Sequence, residues 1–175
     1  MIKKSNRLTL FEMCLFAMFA AMMFMSKIML EFLPNVHLLG MFTVLLTSLY
    51  RKKALIPIYI FVLIEGVYVG FALWWVPYLY IWTVLWGFAM LVPKDCDKKY
   101  MIIVYPLICS LHGFLYGTLY APFQMLAFSL SFRQTLIWIA AGLPWDAVHG
   151  ISNFFVGFLI YPLRKLLKNQ TNKLA

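Results

Sequence analysis

Charge is scarce in this sequence, and acid scarcer still. Charged residues occupy 12 % of its 175 positions, with 6 Asp and Glu against 15 Lys and Arg, where soluble domains usually carry about 25 %. Apolar residues reach 64 %, and a water-soluble fold of this length has too little interior to hide them. An ordinary cytosolic enzyme is thereby excluded, and so is a disordered chain. Cysteine is sparse too: Cys14, Cys96 and Cys109 form no CxxC pair, so neither a disulfide framework nor a structural zinc is expected. There is no GxxxxGK[ST] loop to cradle ATP and no HExxH zinc signature. Glu12, Glu31 and Glu65 stand apart from one another, so paired-glutamate metal chemistry of the intramembrane protease kind has no foothold. The chain is not expected to be an enzyme or to hold a cofactor or metal of its own.

What is present reads as an all-α integral membrane protein. The net charge of +9 would suggest nucleic acid in a soluble chain, but the placement of the cations argues for topology instead. All except Lys27 and Arg133 fall in four groups: Lys3, Lys4 and Arg7; Arg51, Lys52 and Lys53; Lys94, Lys98 and Lys99; Arg164, Lys165, Lys168 and Lys173. Each group lies between apolar stretches or at a terminus, as the positive-inside rule expects of cytoplasmic segments. No nucleic-acid partner is expected.

The four groups divide the chain into three excursions from the cytoplasm, which predicts about six transmembrane helices with both termini cytoplasmic. The run Leu8–Leu30 is too long for a signal-peptide core and reads as the first helix. It turns at Glu31–His37, with Pro34 and Asn35 as breakers, and returns through the short run Leu38–Tyr50. A second pair runs through Ala54–Ala72 and Tyr78–Val92, turning near Trp74–Pro77, and a third rises through Tyr100–Tyr120 and descends to Leu163. Between Ala121 and Gly142 lies an apolar stretch interrupted by Phe132-Arg133-Gln134. An odd crossing there would put the last basic group outside, so it is expected to be a capping or re-entrant segment before the last helix.

Ionisable groups inside membrane helices are costly and mark candidate sites. At about 1.5 Å per residue, Glu65 lies about 18 Å up its helix from Lys53, and His112 about 20 Å from Lys99. Counted back from Arg164, Asn153, His149 and Asp146 lie at about 16, 22 and 27 Å. Three helices thus place polar groups at mid-depth or in the outer half of a hydrocarbon core about 30 Å thick. Pro144 after Gly142 suits a helix start, and Asp146, His149 and Asn153 share one face, extended by Gly142 and Gly157. That face meets either a ligand or a neighbouring helix through hydrogen bonds. The same two readings hold for Glu65 and His112.

Aromatic rings accompany these groups. Trp75, Tyr78, Trp82 and Trp86 lie roughly along one face of the fourth helix, and Phe61 and Tyr68 flank Glu65. Rings beside one or two charges suit a small flat heterocycle, although Trp74, Trp75 and Tyr78 also fit an interfacial aromatic belt. The candidate substrate-binding residues are Glu65, Tyr68, Trp75, Tyr78, Trp82, His112, Asp146, His149 and Asn153. Small residues four apart, Ala17 and Ala21, Gly66 and Gly70, Gly113 and Gly117, allow close helix packing, and Ala17 and Ala21 lie on the helix with no deep charged group in this depth count.

Six helices with both termini inside, a short second helix after an outer first loop, the segment Ala17-Met18-Phe19-Ala20-Ala21 and the segment from Gly142 to Asn153 together resemble the substrate-binding S components of energy-coupling factor (ECF) transporters. The resemblance spans residues 1–175 as a single transmembrane S-component-like domain, although the stretch 121–142 is longer than a minimal fifth loop. It implies capture of a small vitamin or related heterocyclic micronutrient from outside, in the plasma membrane of a prokaryote. It further implies that Ala17 and Ala21 contact a membrane T component carrying two cytosolic ATPase subunits, to which ATP hydrolysis belongs, and that Glu31–His37 gates the pocket. The alternatives are an autonomous secondary transporter using Glu65 or Asp146 as a proton-coupled carboxylate, and a non-catalytic membrane assembly protein.

Overall fold

Helix α1 (Leu10–Met29) starts where the sequence supplies a capping box: the Thr9 hydroxyl accepts from the Glu12 amide at 3.1 Å and the Glu12 carboxylate accepts from the Thr9 amide at 3.0 Å. The computed structural model describes residues 8–94 and 96–174. Among them every regular element is helical. The first basic group, Lys3, Lys4 and Arg7, lies outside the described residues, as does the side chain of Lys173. Three stretches, Leu10–Met29, Leu73–Met90 and Lys98–Ala127, are long and apolar enough to cross a membrane.

Helix α2 (Leu39–Tyr50) is the axis of the bundle. Every residue from Leu39 to Ser48 is buried, enclosed by neighbouring helices on several sides. Its 12 residues span only about 18 Å, and a helix sheathed in protein need not match the lipid. The Thr47 and Ser48 hydroxyls donate at 2.7 Å to carbonyls of their own helix, Thr43 and Leu45. A 3₁₀ turn, Arg51–Ala54, leads into α3 (Leu55–Val69), which buries the stripe Ile58, Phe61, Val62, Glu65 and Gly66. A second short turn, Leu73–Trp75, precedes α4 (Tyr78–Met90).

Helices α5 (Lys98–Phe114) and α6 (Tyr116–Ala127) form one long run broken at Leu115. Helix α7 (Phe132–Gly157) lies along them. The α5–α7 seam brings backbones into contact: a Cβ on Gly113 would stand 2.7 Å from the Gly150 Cα, and one on Gly157 2.5 Å from the Pro106 Cα. The small residues of this pair therefore serve internal packing. A last amphipathic helix, α8 (Ile160–Leu174), folds back onto α2 and α5 with Ile160 and Arg164 buried.

Three expectations are corrected here. Residues 121–142 form no separate capping or re-entrant segment; they are the end of α6 and the start of α7, joined by a tight turn. Ser129 closes α6 in the left-handed region (φ 53°), and the Leu130 amide reaches back to the Met125 carbonyl at 3.0 Å, the bond of a Schellman ending. Ser131 then starts α7 with a second capping box, its amide donating to the Gln134 side chain at 2.8 Å. Pro144 accordingly lies inside α7 and does not begin it. The descent ends at Gly157, short of Leu163, because Phe158 and Leu159 turn the chain into α8 with bonds to Phe155 and Val156.

Candidate binding site

A cavity of about 190 Å³ lies under the connection between α1 and α2. Its walls are Lys27 of α1, His37 at the end of the connection, Tyr78 of α4, Tyr116 of α6 and His149 of α7, and residues 30–36 cover it. Asn35 takes a left-handed conformation (φ 59°) in that cover, a conformation asparagine tolerates better than most residues. Elements distant in sequence thus meet at the end of the molecule opposite the Arg51, Lys94 and Arg164 groups.

Lys27 and Glu65 form an ion pair that ties α1 to α3. The Lys27 ammonium also stands 5.4 Å from the Tyr78 ring centroid and 5.7 Å from that of Trp74, within cation–π range. Glu65 is fully buried, and its second oxygen, Oε1, has no hydrogen-bond partner. Trp82 packs beneath this layer, with ring centroids 5.7 Å from Tyr78, 6.0 Å from His37, 5.8 Å from His112 and 6.3 Å from Tyr116. His149 packs at 4.5 Å from His37 and 4.9 Å from Tyr116. His37 belongs to the connection between helices, where burial, with His112 and Lys27 adding, pushes its imidazole down to about 4.

Polar atoms in this cluster are conspicuously unmet. His37 Nδ1, His112 Nδ1, His149 Nε2, Trp82 Nε1 and Glu65 Oε1 are all buried without a partner, although buried polar groups in folded proteins nearly always have one. The other nitrogen of His112, Nε2, lies 3.2 Å from the Ile81 carbonyl and so must carry the proton when the ring is neutral, which leaves Nδ1 as an acceptor. Trp82 offers a donor and Glu65 a second acceptor. The cluster therefore presents both signs of hydrogen-bonding group from several helices at one level. Among the described residues, no three His, Cys, Asp or Glu side chains are grouped to hold a metal ion.

The residues singled out in the sequence divide into two sets. Tyr78 and His149 line the cavity, Trp82 and His112 pack against its lining, and Glu65 holds Lys27 in its wall. Tyr68 is turned outward, 64 % exposed, with its ring edge-on to Phe24. Trp75 donates from its indole to the Val62 carbonyl at 2.7 Å and packs over Gly66, bracing α3. Asp146 accepts from the Gly117 amide with both oxygens, at 3.1 and 3.0 Å, capping the start of α6 where α5 breaks. Asn153 is buried one turn below His149 beside Gly40, with neither amide atom partnered.

Lys27, His37 and Tyr116 were missed as site residues. Lys27 had a signal, since it stands outside the four basic groups and deep in an apolar run. His37 had only its place at the end of a loop, and Tyr116 had none in a chain with 10 tyrosines. Comparison with known proteins finds no matching family model, no matching curated protein and no matching solved structure.

Proposed function

We propose that this chain is the membrane-embedded substrate-binding subunit of an ECF-type, ATP-driven importer, capturing a small heterocyclic micronutrient from outside. The observation that carries the reading is the set of unpartnered buried polar atoms around one aromatic-walled cavity. A helix bundle that served only as packing would lose stability by leaving them unmet, whereas a ligand with matching donors and acceptors satisfies those of the lining residues His37 and His149. Size narrows the ligand. A cavity of about 150 Å³ holds benzene, so about 190 Å³ suits a single substituted ring better than a fused ring system.

In this reading the described helices α1 to α5 and α7 make six crossings, the basic groups face the cytoplasm of a prokaryotic cell, and the cavity opens outward. Ala17 and Ala21 support a partner-facing side of α1, since both are exposed in a stripe with Met18 and Met22. That stripe would meet the T component, and the two ATPases would supply ATP hydrolysis. The chain itself would catalyse nothing. A second reading, an autonomous secondary transporter, draws on the part-buried Lys27–Glu65 pair as a coupling site.

Mass spectrometry of small molecules that co-purify with the chain, followed by Trp fluorescence titration of each, tests binding. A single-ring heterocycle held without ATP supports the proposal; no tight ligand from the native membrane overturns it. Replacing Ala17 and Ala21 with Leu should leave binding unchanged and abolish uptake. Uptake by the chain alone would favour the secondary transporter.

A further inference from the structure

The basic end of the molecule carries a second cleft, of about 300 Å³, unconnected with the cavity above. Lys94 reaches it from the α4–α5 connection, Lys98 from the start of α5, and Tyr161, Arg164 and Lys168 from α8. Four cations therefore converge with no carboxylate among the described lining residues; the nearby Asp97 lines the adjoining cleft with Pro93 and Tyr100. Arg164 is the unusual member. Only 7 % exposed, it donates from Nη2 to the Lys94 carbonyl at 2.8 Å, while its Nε has no partner. Lys98 stands 5.7 Å from the Tyr161 ring centroid, which holds it beside the arginine.

Gathering like charges raises the energy of the empty cleft, and burying an unpaired guanidinium N–H adds to it. A tetrahedral oxyanion relieves both, because a guanidinium fork and ammonium groups match its oxygens. The surroundings point to where such a group comes from. Helix α8 is amphipathic, with Lys165 and Lys168 exposed beside an exposed Leu166, and Phe158 and Leu159 are half-exposed at its start. Cations next to exposed apolar side chains suit a headgroup with acyl chains attached. We propose that this cleft binds a phosphate group, presented by an anionic phospholipid at the membrane surface. The site is separate from ligand capture and stands whether or not the transport reading does.

Native mass spectrometry of the intact chain in mild detergent, titrated with phosphatidylglycerol, phosphatidylcholine or inorganic phosphate, tests it. Phosphatidylglycerol should be retained at least about fivefold over phosphatidylcholine, and retention should fall about fivefold for each cation removed. Lys98→Gln with Lys168→Gln removes two exposed cations without touching the buried arginine, so the variant keeps its fold, and a melting curve checks that. Arg164→Lys keeps the charge but loses the fork and should weaken retention. Binding of inorganic phosphate with no preference between the two lipids would support the same site with a soluble phosphate as its ligand. Equal retention of both lipids without phosphate binding, or a double variant indistinguishable from the parent, overturns the proposal.

Discussion

The two ends of this bundle use polar side chains in opposite ways. At the end with Arg51, polar groups outside the Arg164 cleft are spent on the fold: the Arg51 guanidinium donates to the Val92 carbonyl at 2.8 Å and the Met90 carbonyl at 2.7 Å, and Trp86 donates to the Arg51 carbonyl at 3.1 Å. These bonds close the exposed end of α4, whose last carbonyls have no partner within the helix. Lys53 pairs with Glu12 at 2.6 Å and fastens the start of α1. At the other end, five buried polar atoms from the connection, α3, α4, α5 and α7 have no hydrogen-bond partner. A fold stabilised at one end tolerates unmet groups at the other, and the unmet groups are where a ligand gains affinity.

This contrast makes measurable claims. The largest concerns Arg51. Arg51→Gln removes two charge-assisted bonds, each worth about 1.5 to 3 kcal/mol, and should lower stability by about 3 kcal/mol in thermal or denaturant melts while leaving ligand affinity unchanged. If affinity fell with stability, the two ends would not be independent. His149→Leu should do the reverse: ligand affinity falls at least about tenfold, about 1.4 kcal/mol, while the melting temperature holds or rises because a buried unpaired nitrogen is gone. Asp146→Ala tests a residue near the cavity that works for the fold. Losing a helix cap costs about 1 kcal/mol, so stability should drop by that much and ligand affinity change less than threefold.

The last effect is one of pH and is confined to acid solution. With its imidazole held near 4 in the folded protein against about 6.5 in the unfolded chain, His37 binds protons only in the unfolded state between those values. Its contribution to stability is complete above about 6.5, is lost as pH falls toward about 4, and changes no further below. Melting temperatures measured from pH 7 to pH 4 should therefore fall less steeply for His37→Gln than for the parent chain. Equal slopes would place the His37 ring in water, outside the cavity wall.

Much of the fold was legible because charge is scarce in this chain and falls between its apolar runs. The basic groups placed the turns after α2 and α4, and the breakers Pro34 and Asn35 placed the connection after α1. The shortness of α2 was visible too, and its burial supplies the reason. Faces were harder to read. In α3 the outward-facing and core-facing residues are both apolar, so periodicity does not separate Glu65, which faces inward, from Tyr68, which faces out. The start of α7 was misjudged because a local proline signal at Pro144 outweighed the capping pair Ser131 and Gln134, which sat inside what read as an interruption. Asp146 was placed at the right depth, but a carboxylate that caps a neighbouring helix and one that holds a ligand have the same sequence signature.

The glycine seam between α5 and α7 has a mechanical consequence. Gly150, next to His149, touches Gly113, one turn before Tyr116, so these two cavity walls share a backbone contact that leaves no slack for one to move without the other. The opposite wall is held by side chains and turns: Lys27 by its pair with Glu65 and its contacts with the Tyr78 and Trp74 rings, and the cover at 30–36 by turns of its own backbone, Leu33 to Leu30 at 2.8 Å and Val36 to Leu33 at 3.2 Å, and by one bond from the Ser152 hydroxyl to the Asn35 carbonyl at 3.4 Å. The cavity is built like a vice, with the α5–α7 side as its fixed jaw.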